Sequence, residues 1–110
     1  MKEELSNTAI YQAVFETSLA GFFVLDDSGT IVKANATAEL MFGYENNELV
    51  KKNIYKLFAN ELIKDLMQSR VTESLQIYGL RKDCGIFMFD IRYGSTVIQE
   101  RKLGSVFCKH

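Results

Sequence analysis

The pattern of apolar and turn-forming residues predicts an α+β fold: an antiparallel sheet of about five strands, short helices on one of its faces, and a flanking helix at the N-terminus. Three observations carry that expectation. Hairpin-like alternation stands near both ends of the chain, helical periodicity fills the middle, and no linker, repeat or low-complexity tract divides the 110 residues. A sheet and helices in that order bury one face of each by packing in two layers. The 47% hydrophobic and 12% aromatic content is enough for one well-filled core at this length.

Residues 3–18 form the flanking helix. Leu5, Ala9, Ile10, Ala13 and Val14 recur at helical spacing, and Tyr11 and Phe15 are a second pair four apart. We place a boundary after residue 18, with the globular domain at 19–110. The segment "GFFVLDDSGTIVKAN" then reads as strand, turn, strand. Gly29 suits a turn position with positive φ, while Asp26, Asp27 and Ser28 bond locally to the turn backbone.

"NATAELMFGY" is a two-turn helix. Asn35 caps its N-terminus and Gly43 supplies the left-handed residue that ends it. So short a helix needs tertiary contacts, so Leu40 and Met41 are expected to face inward. "ENNELVKKNIYKLF" holds two short apolar clusters, Leu49/Val50 and Ile54/Leu57/Phe58, and reads as helical turns. "ANELIKDLMQSRV" is the clearest helix, with Leu62, Ile63, Leu66 and Met67 on one stripe.

From about residue 74 the period becomes two. A strand, a turn at Lys82 to Gly85, and a second strand are followed by a third in "STVIQERKLGSVFCKH", with an irregular middle near Arg101 to Gly104. In the second strand Phe87, Phe89, Ile91 and Tyr93 share the expected core face, and Ile86, Met88, Asp90 and Arg92 share the other. The mixed character of that other face suits one covered by a helix or subunit.

The totals exclude several functions. Thirteen basic and 14 acidic residues give a net charge of -1, no attraction for nucleic acid or an anionic membrane surface. No apolar run approaches 18 residues, and the first ten residues lack a signal-peptide core. Two cysteines, Cys84 and Cys108, without a C-x-x-C pair point to a reducing, cytoplasmic setting. The two cysteines and the single histidine, His110, form no metal-ligand set, and no glycine-rich phosphate loop is present. Asp90 is the one candidate acid or base on a core strand, beside Tyr93 or Tyr78.

The string "DDSGTIVKANATAELMFGYENNELVKKNIYKLF", residues 26–58, resembles the core signature of PAS domains. In that family an Asp-rich turn and Gly-x-Ile lead into the second strand, here Gly29 and Ile31. An Asn opens the next helix, here Asn35, and Phe-Gly-Tyr closes it, here Phe42, Gly43 and Tyr44. A Glu-Leu-aliphatic segment follows, here Glu48, Leu49 and Val50. "RKDCG" is similar to the family's later hairpin turn, with Cys84 inserted before Gly85.

The resemblance implies a non-catalytic sensory or interaction module. Such a module relays a signal to a downstream effector domain of a sensor histidine kinase of a two-component system, a cyclic-dinucleotide enzyme or a transcriptional regulator. It implies a homodimer, with Leu5, Ile10, Val14, Ile86 and Met88 as contact candidates. A small-molecule ligand would lie between sheet and helices, near Met41, Ile54, Phe58, Leu62, Leu66, Met67, Phe89 and Ile91. The cofactor is unknown, and none is expected of this chain. Asn53 is followed by Ile54 where the photosensing branch has a reactive Cys, which disfavours a cysteinyl-flavin. The long helix has no His, which disfavours His-ligated haem. Lys51 stands where the family often has Gly. Cys84, exposed on a turn, is a weaker redox candidate. Two rivals stay open: a small α+β enzyme with an acid or base group in an apolar pocket, and a longin- or profilin-like adaptor.

Overall fold

A computed structural model describes residues 5–58, 60–68 and 75–109, with the backbone alone at 60–62. In chain order the elements are helix α1 (Asn7–Thr17), strands β1 (Gly21–Leu25) and β2 (Ile31–Ala34), helix α2 (Ala36–Phe42), a 3-10 turn (Ile54–Lys56), helix α3 (Asn60–Gln68), and strands β3 (Leu75–Leu80), β4 (Ile86–Ile98) and β5 (Arg101–Lys109). The strands form one antiparallel sheet in the order β2-β1-β5-β4-β3. The first and last strands thus lie side by side: Gly21 at the start of β1 pairs with Cys108 near the end of β5. Residues 3 and 4, expected in the first helix, lie outside the described residues, as does His110.

Local chemistry explains the turns. In the β1–β2 connection Asp26 Oδ1 accepts from the Ser28 N–H at 2.9 Å, the Ser28 hydroxyl at 2.7 Å and the Thr30 N–H at 3.0 Å, and Gly29 takes φ +83°. Those hydrogen bonds, Ser28's first, hold the Asp26 carboxyl below its ordinary range. In the β3–β4 turn Cys84 adopts φ 71°, a left-handed position that glycine usually fills, and its N–H donates to the Arg81 carbonyl at 3.0 Å.

The alternation on β4 is met in part: Phe89 and Ile91 are buried, while Ile86 and Met88 are exposed on the opposite face. Phe87, expected on the core face, is 40% exposed, because it lies beside the β3–β4 turn under the Arg81 guanidinium and beyond the helices that cover the sheet. The third strand departs from expectation. Thr96, Val97 and Ile98 extend β4 rather than opening a new strand, and nothing irregular interrupts Arg101 to Gly104. The reversal is the two-residue turn Gln99-Glu100, both left-handed at φ 52° and 65°. That geometry matches the right-handed twist of a hairpin but is ordinarily carried by Asn-Gly, so the residue types concealed it. Replacing Gln99-Glu100 by Asn-Gly is expected to stabilise the chain by about 1–2 kcal/mol, read as a thermal midpoint raised by several degrees. An unchanged or lower midpoint would contradict this account of the turn.

Loop segments cover both sheet edges. Beside β2, the Ile31 N–H donates to the Lys52 carbonyl at 2.7 Å and the Lys51 N–H to the Ile31 carbonyl at 2.8 Å. Beside β3, the Leu80 N–H donates to the Leu57 carbonyl at 2.7 Å, and Phe58 bridges Gly79. Such pairing shortens the free edges that invite sheet-to-sheet aggregation.

Candidate functional site

The inner face of the sheet and the helices above it enclose four phenylalanine rings. Phe23 comes from β1, Phe42 from α2, Phe58 from the segment before α3, and Phe89 from β4. Phe42 stacks on Phe89 with centroids 4.8 Å apart, Phe42 and Phe58 meet edge-on at 5.3 Å, and Phe23 lies edge-on to Phe42 at 5.8 Å. All four are at most 4% exposed. Burying each contributes about 2–3 kcal/mol, and edge-to-face contacts add to that.

The residues expected around a ligand come together here. Ile54, Phe58, Leu66, Phe89 and Ile91 are buried in one continuous core, with Met41 and Met67 half-buried against it. The side chain of Leu62 lies outside the described residues. At these ring separations the rings touch one another, so a ring-sized ligand enters this interior only by displacing one of them.

Leu40 corrects the expectation for α2. It is 76% exposed, whereas Ala38, Glu39 and Phe42 are buried. The helix begins one residue after Asn35 and turns about 100° per residue, which brings Ala38 and Phe42 onto the sheet and points Leu40 away. The apolar type of Leu40 suggested burial, yet helical phase decided otherwise.

The motif residues have structural work. Asn35 is fully buried and its side chain makes four hydrogen bonds. Its carboxamide oxygen accepts from the Ala38 N–H at 2.9 Å and the Phe22 N–H at 3.0 Å, and its NH₂ donates to the carbonyls of Phe15 at 2.8 Å and Ala20 at 3.0 Å. One amide therefore ties α1, β1 and α2 together. Gly43 ends α2 at φ +77°, and Ile31 and Leu49 are fully buried. Tyr44 lies beneath the ammonium groups of Lys52 and Lys82, and Lys82 also pairs with Glu48.

The sequence marked Arg81 only as the first residue of the "RKDCG" turn and gave its side chain no role of its own. Its Nη1 donates to the Met41 carbonyl at 3.3 Å near the C-terminus of α2, and its guanidinium lies 5.5 Å from the Phe87 ring centre. That placement suits a cation at a helix C-terminus.

Asp90 stands exposed on the outer face, opposite Gln76 and Lys109 in the ladder. The period of two had already set Asp90 on the side away from Phe89 and Ile91, and its exposure there leaves the enzyme reading without its acid or base in the apolar interior. The contact candidates fall in two patches. Leu5, ahead of α1, and Ile10 and Val14 on it are exposed, and no residue of this helix is buried. Ile86 and Met88 lie on β4, with β5 between them and β1.

The cysteines differ sharply. Cys84 is exposed, whereas Cys108 is fully buried on the inner face and burial raises its thiol pKa far above the ordinary value. A thiol reagent is expected to titrate Cys84 at once in the native protein and Cys108 only after unfolding. Simultaneous labelling under native conditions would contradict the buried placement.

Comparison with known proteins bears on the fold as a whole. Similar solved structures include a PAS domain of an HTR-like protein from Haloarcula marismortui, at 18% identity and TM-score 0.78, covering 93% of this chain and 89% of that one. A PAS domain from a two-component sensor histidine kinase superposes at TM-score 0.82 with 14% identity, covering 93% and 94% of the two chains. The PAS domain of nitrogen regulation protein NR(II) from Vibrio parahaemolyticus gives 0.72 at 19%, covering 91% and 96%. Identities this low speak to the fold alone. A search of the curated proteins finds no match. A family model described as PAS fold matches residues 9–103, nearly the whole chain, and the chain therefore belongs to the PAS family.

Proposed function

We propose that this PAS domain is a non-catalytic sensory and interaction module that acts as a homodimer and relays its state to a downstream effector domain. The effector would be a sensor histidine kinase, a cyclic-dinucleotide enzyme or a transcriptional regulator. Membership of the family supports the sensory role, and the resemblance to PAS domains of a sensor histidine kinase and a nitrogen regulation protein supports the choice of effector.

The observation that carries the dimer is α1. It has 11 residues, none buried, with Ile10, Tyr11 and Val14 at 41%, 70% and 62% exposure. Isolated helices shorter than about 12–15 residues are marginal in water, so α1 gains its stability from packing that one chain leaves unmade. A second copy fits this need. The same face of the molecule carries a projecting helix and exposed apolar strand residues, Tyr78, Ile86 and Met88, and a two-fold axis sets helix against sheet twice over. Phe15 of α1 already contacts the outer-face ring of Phe22 at 6.1 Å, and Phe22 meets Phe107 at 5.0 Å, which extends an apolar path from helix to sheet.

Signalling then needs only a bias between two placements of α1 on the sheet. Asn35 links that placement to α2 and the interior. Sedimentation equilibrium tests the reading: a dimer is expected, with Val14→Glu and Met88→Glu each weakening it by about tenfold or more. A chain that stays monomeric at high concentration would overturn it.

A further inference from the structure

We propose that a crevice at the flank of the domain is a binding site for a small organic carboxylate. It opens where the β1–β2 turn, the last turn of α3 and the start of β5 meet, and its volume is about 210 Å³. Of the expected interior residues whose side chains are described, only Met67 borders it, so it is a separate place from the phenylalanine core. The volume falls below the roughly 300–1,000 Å³ of drug-sized sites, which suits a small metabolite.

The floor is aromatic and shaped by a missing side chain. Tyr93 lies directly over Gly104, where an added Cβ would stand 2.7 Å from both its Cε1 and its hydroxyl oxygen. Half-buried Tyr55 and Met67 complete an apolar bed for the body of a ligand.

The rim sets two lysines against two aspartates. Lys64 from α3 holds its ammonium 5.6 Å from the Tyr55 ring centre, and Lys102 comes from the inner face of β5. Among the described residues neither forms an ion pair. The Tyr93 hydroxyl and the Gln68 amide add two further donors. Asp26 also borders the crevice, but its Oδ1 is taken up by three donors of its own turn. Asp27 stands on the turn side of the rim, which places the ligand's anionic end toward Lys64 and Lys102 and favours one carboxylate there, with any amine toward Asp27. Burial, and the neighbouring Tyr55, keep the Tyr93 phenol protonated and able to donate. Two lysines and a tyrosine bordering one small opening offer a carboxylate charge-assisted hydrogen bonds.

The test is isothermal titration of the intact chain with benzoate and succinate, alongside the neutral isosteres benzamide and succinamide. At least one carboxylate is expected to bind and its amide to bind about tenfold more weakly or not at all. Lys64→Gln and Lys102→Gln are each expected to weaken the carboxylate about tenfold, Tyr93→Phe less, and Lys33→Gln on the outer face not at all. Equal binding of amide and acid, indifference to both lysine variants, or no heat from either acid at roughly 10 mM would overturn the site. The measurement reads the monomer and the dimer alike, so its failure leaves the dimer reading standing, and the reverse holds too.

Discussion

Replacing Asn35 by Ala is expected to lower the unfolding free energy by about 4 kcal/mol, the largest loss from any single polar change in this domain. The side chain is fully buried and makes four hydrogen bonds at 2.8–3.0 Å. Alanine would strand the N–H groups of Phe22 and Ala38 and the carbonyls of Phe15 and Ala20 at once. Each stranded buried group costs about 1–3 kcal/mol, reduced where water reaches the partly exposed Phe15 end. Asn35→Asp separates the two halves of the role. It keeps both acceptor contacts and the helix cap, but turns a carboxylate toward two carbonyls, so a loss of about 2 kcal/mol is expected. Urea unfolding measures both. If Asn35→Ala changed the midpoint no more than an ordinary cap replacement, about 1 kcal/mol, the clamp linking α1 to β1 would be energetically empty.

Phe42→Ala is expected to destabilise by a similar amount, about 3–5 kcal/mol, through lost transfer energy and the void left among three other rings. Phe42 touches Phe23, Phe58 and Phe89, and none of the three can follow it inward, because each is anchored on a different element. The variant should therefore hold a dry, apolar cavity in the place where a ligand pocket was expected, and saturating benzene should recover part of the lost stability by mass action. Leu40→Ala, two residues earlier on the same helix, should change stability by no more than about 0.5 kcal/mol. Equal losses at the two positions would mean that the phase of α2 is wrong.

Most of the fold was legible in the residues. Asn35 and Gly43 marked both ends of α2 because capping depends on a side-chain oxygen and a left-handed residue, which are properties of single positions. The β1–β2 turn was readable for the same reason, through Asp26 and Gly29. The β4–β5 turn was hidden because Gln99 and Glu100 adopt left-handed backbone without the residue types that favour it, and the long paired strands on either side impose the geometry. Leu40 illustrates a second limit, in that residue type suggested a location that helical phase then reversed.

For the crevice, no short-range pattern existed to be read. Asp26, Tyr55, Lys64, Tyr93 and Lys102 come from five separated stretches, and only the sheet order, which sets β5 between β1 and β4, draws them to one opening. By itself the sequence determined what depends on neighbours along the chain: the helices, the hairpins, the caps and, through their order and spacing, the PAS family. Tertiary structure alone decided that the interior is filled by four rings, that α1 is left without a buried residue, and that Lys64 and Lys102 border one crevice at the flank. Those outcomes depend on register and packing between distant segments, where a one-residue shift along a strand or a turn of 100° on a helix reverses which side chain meets which.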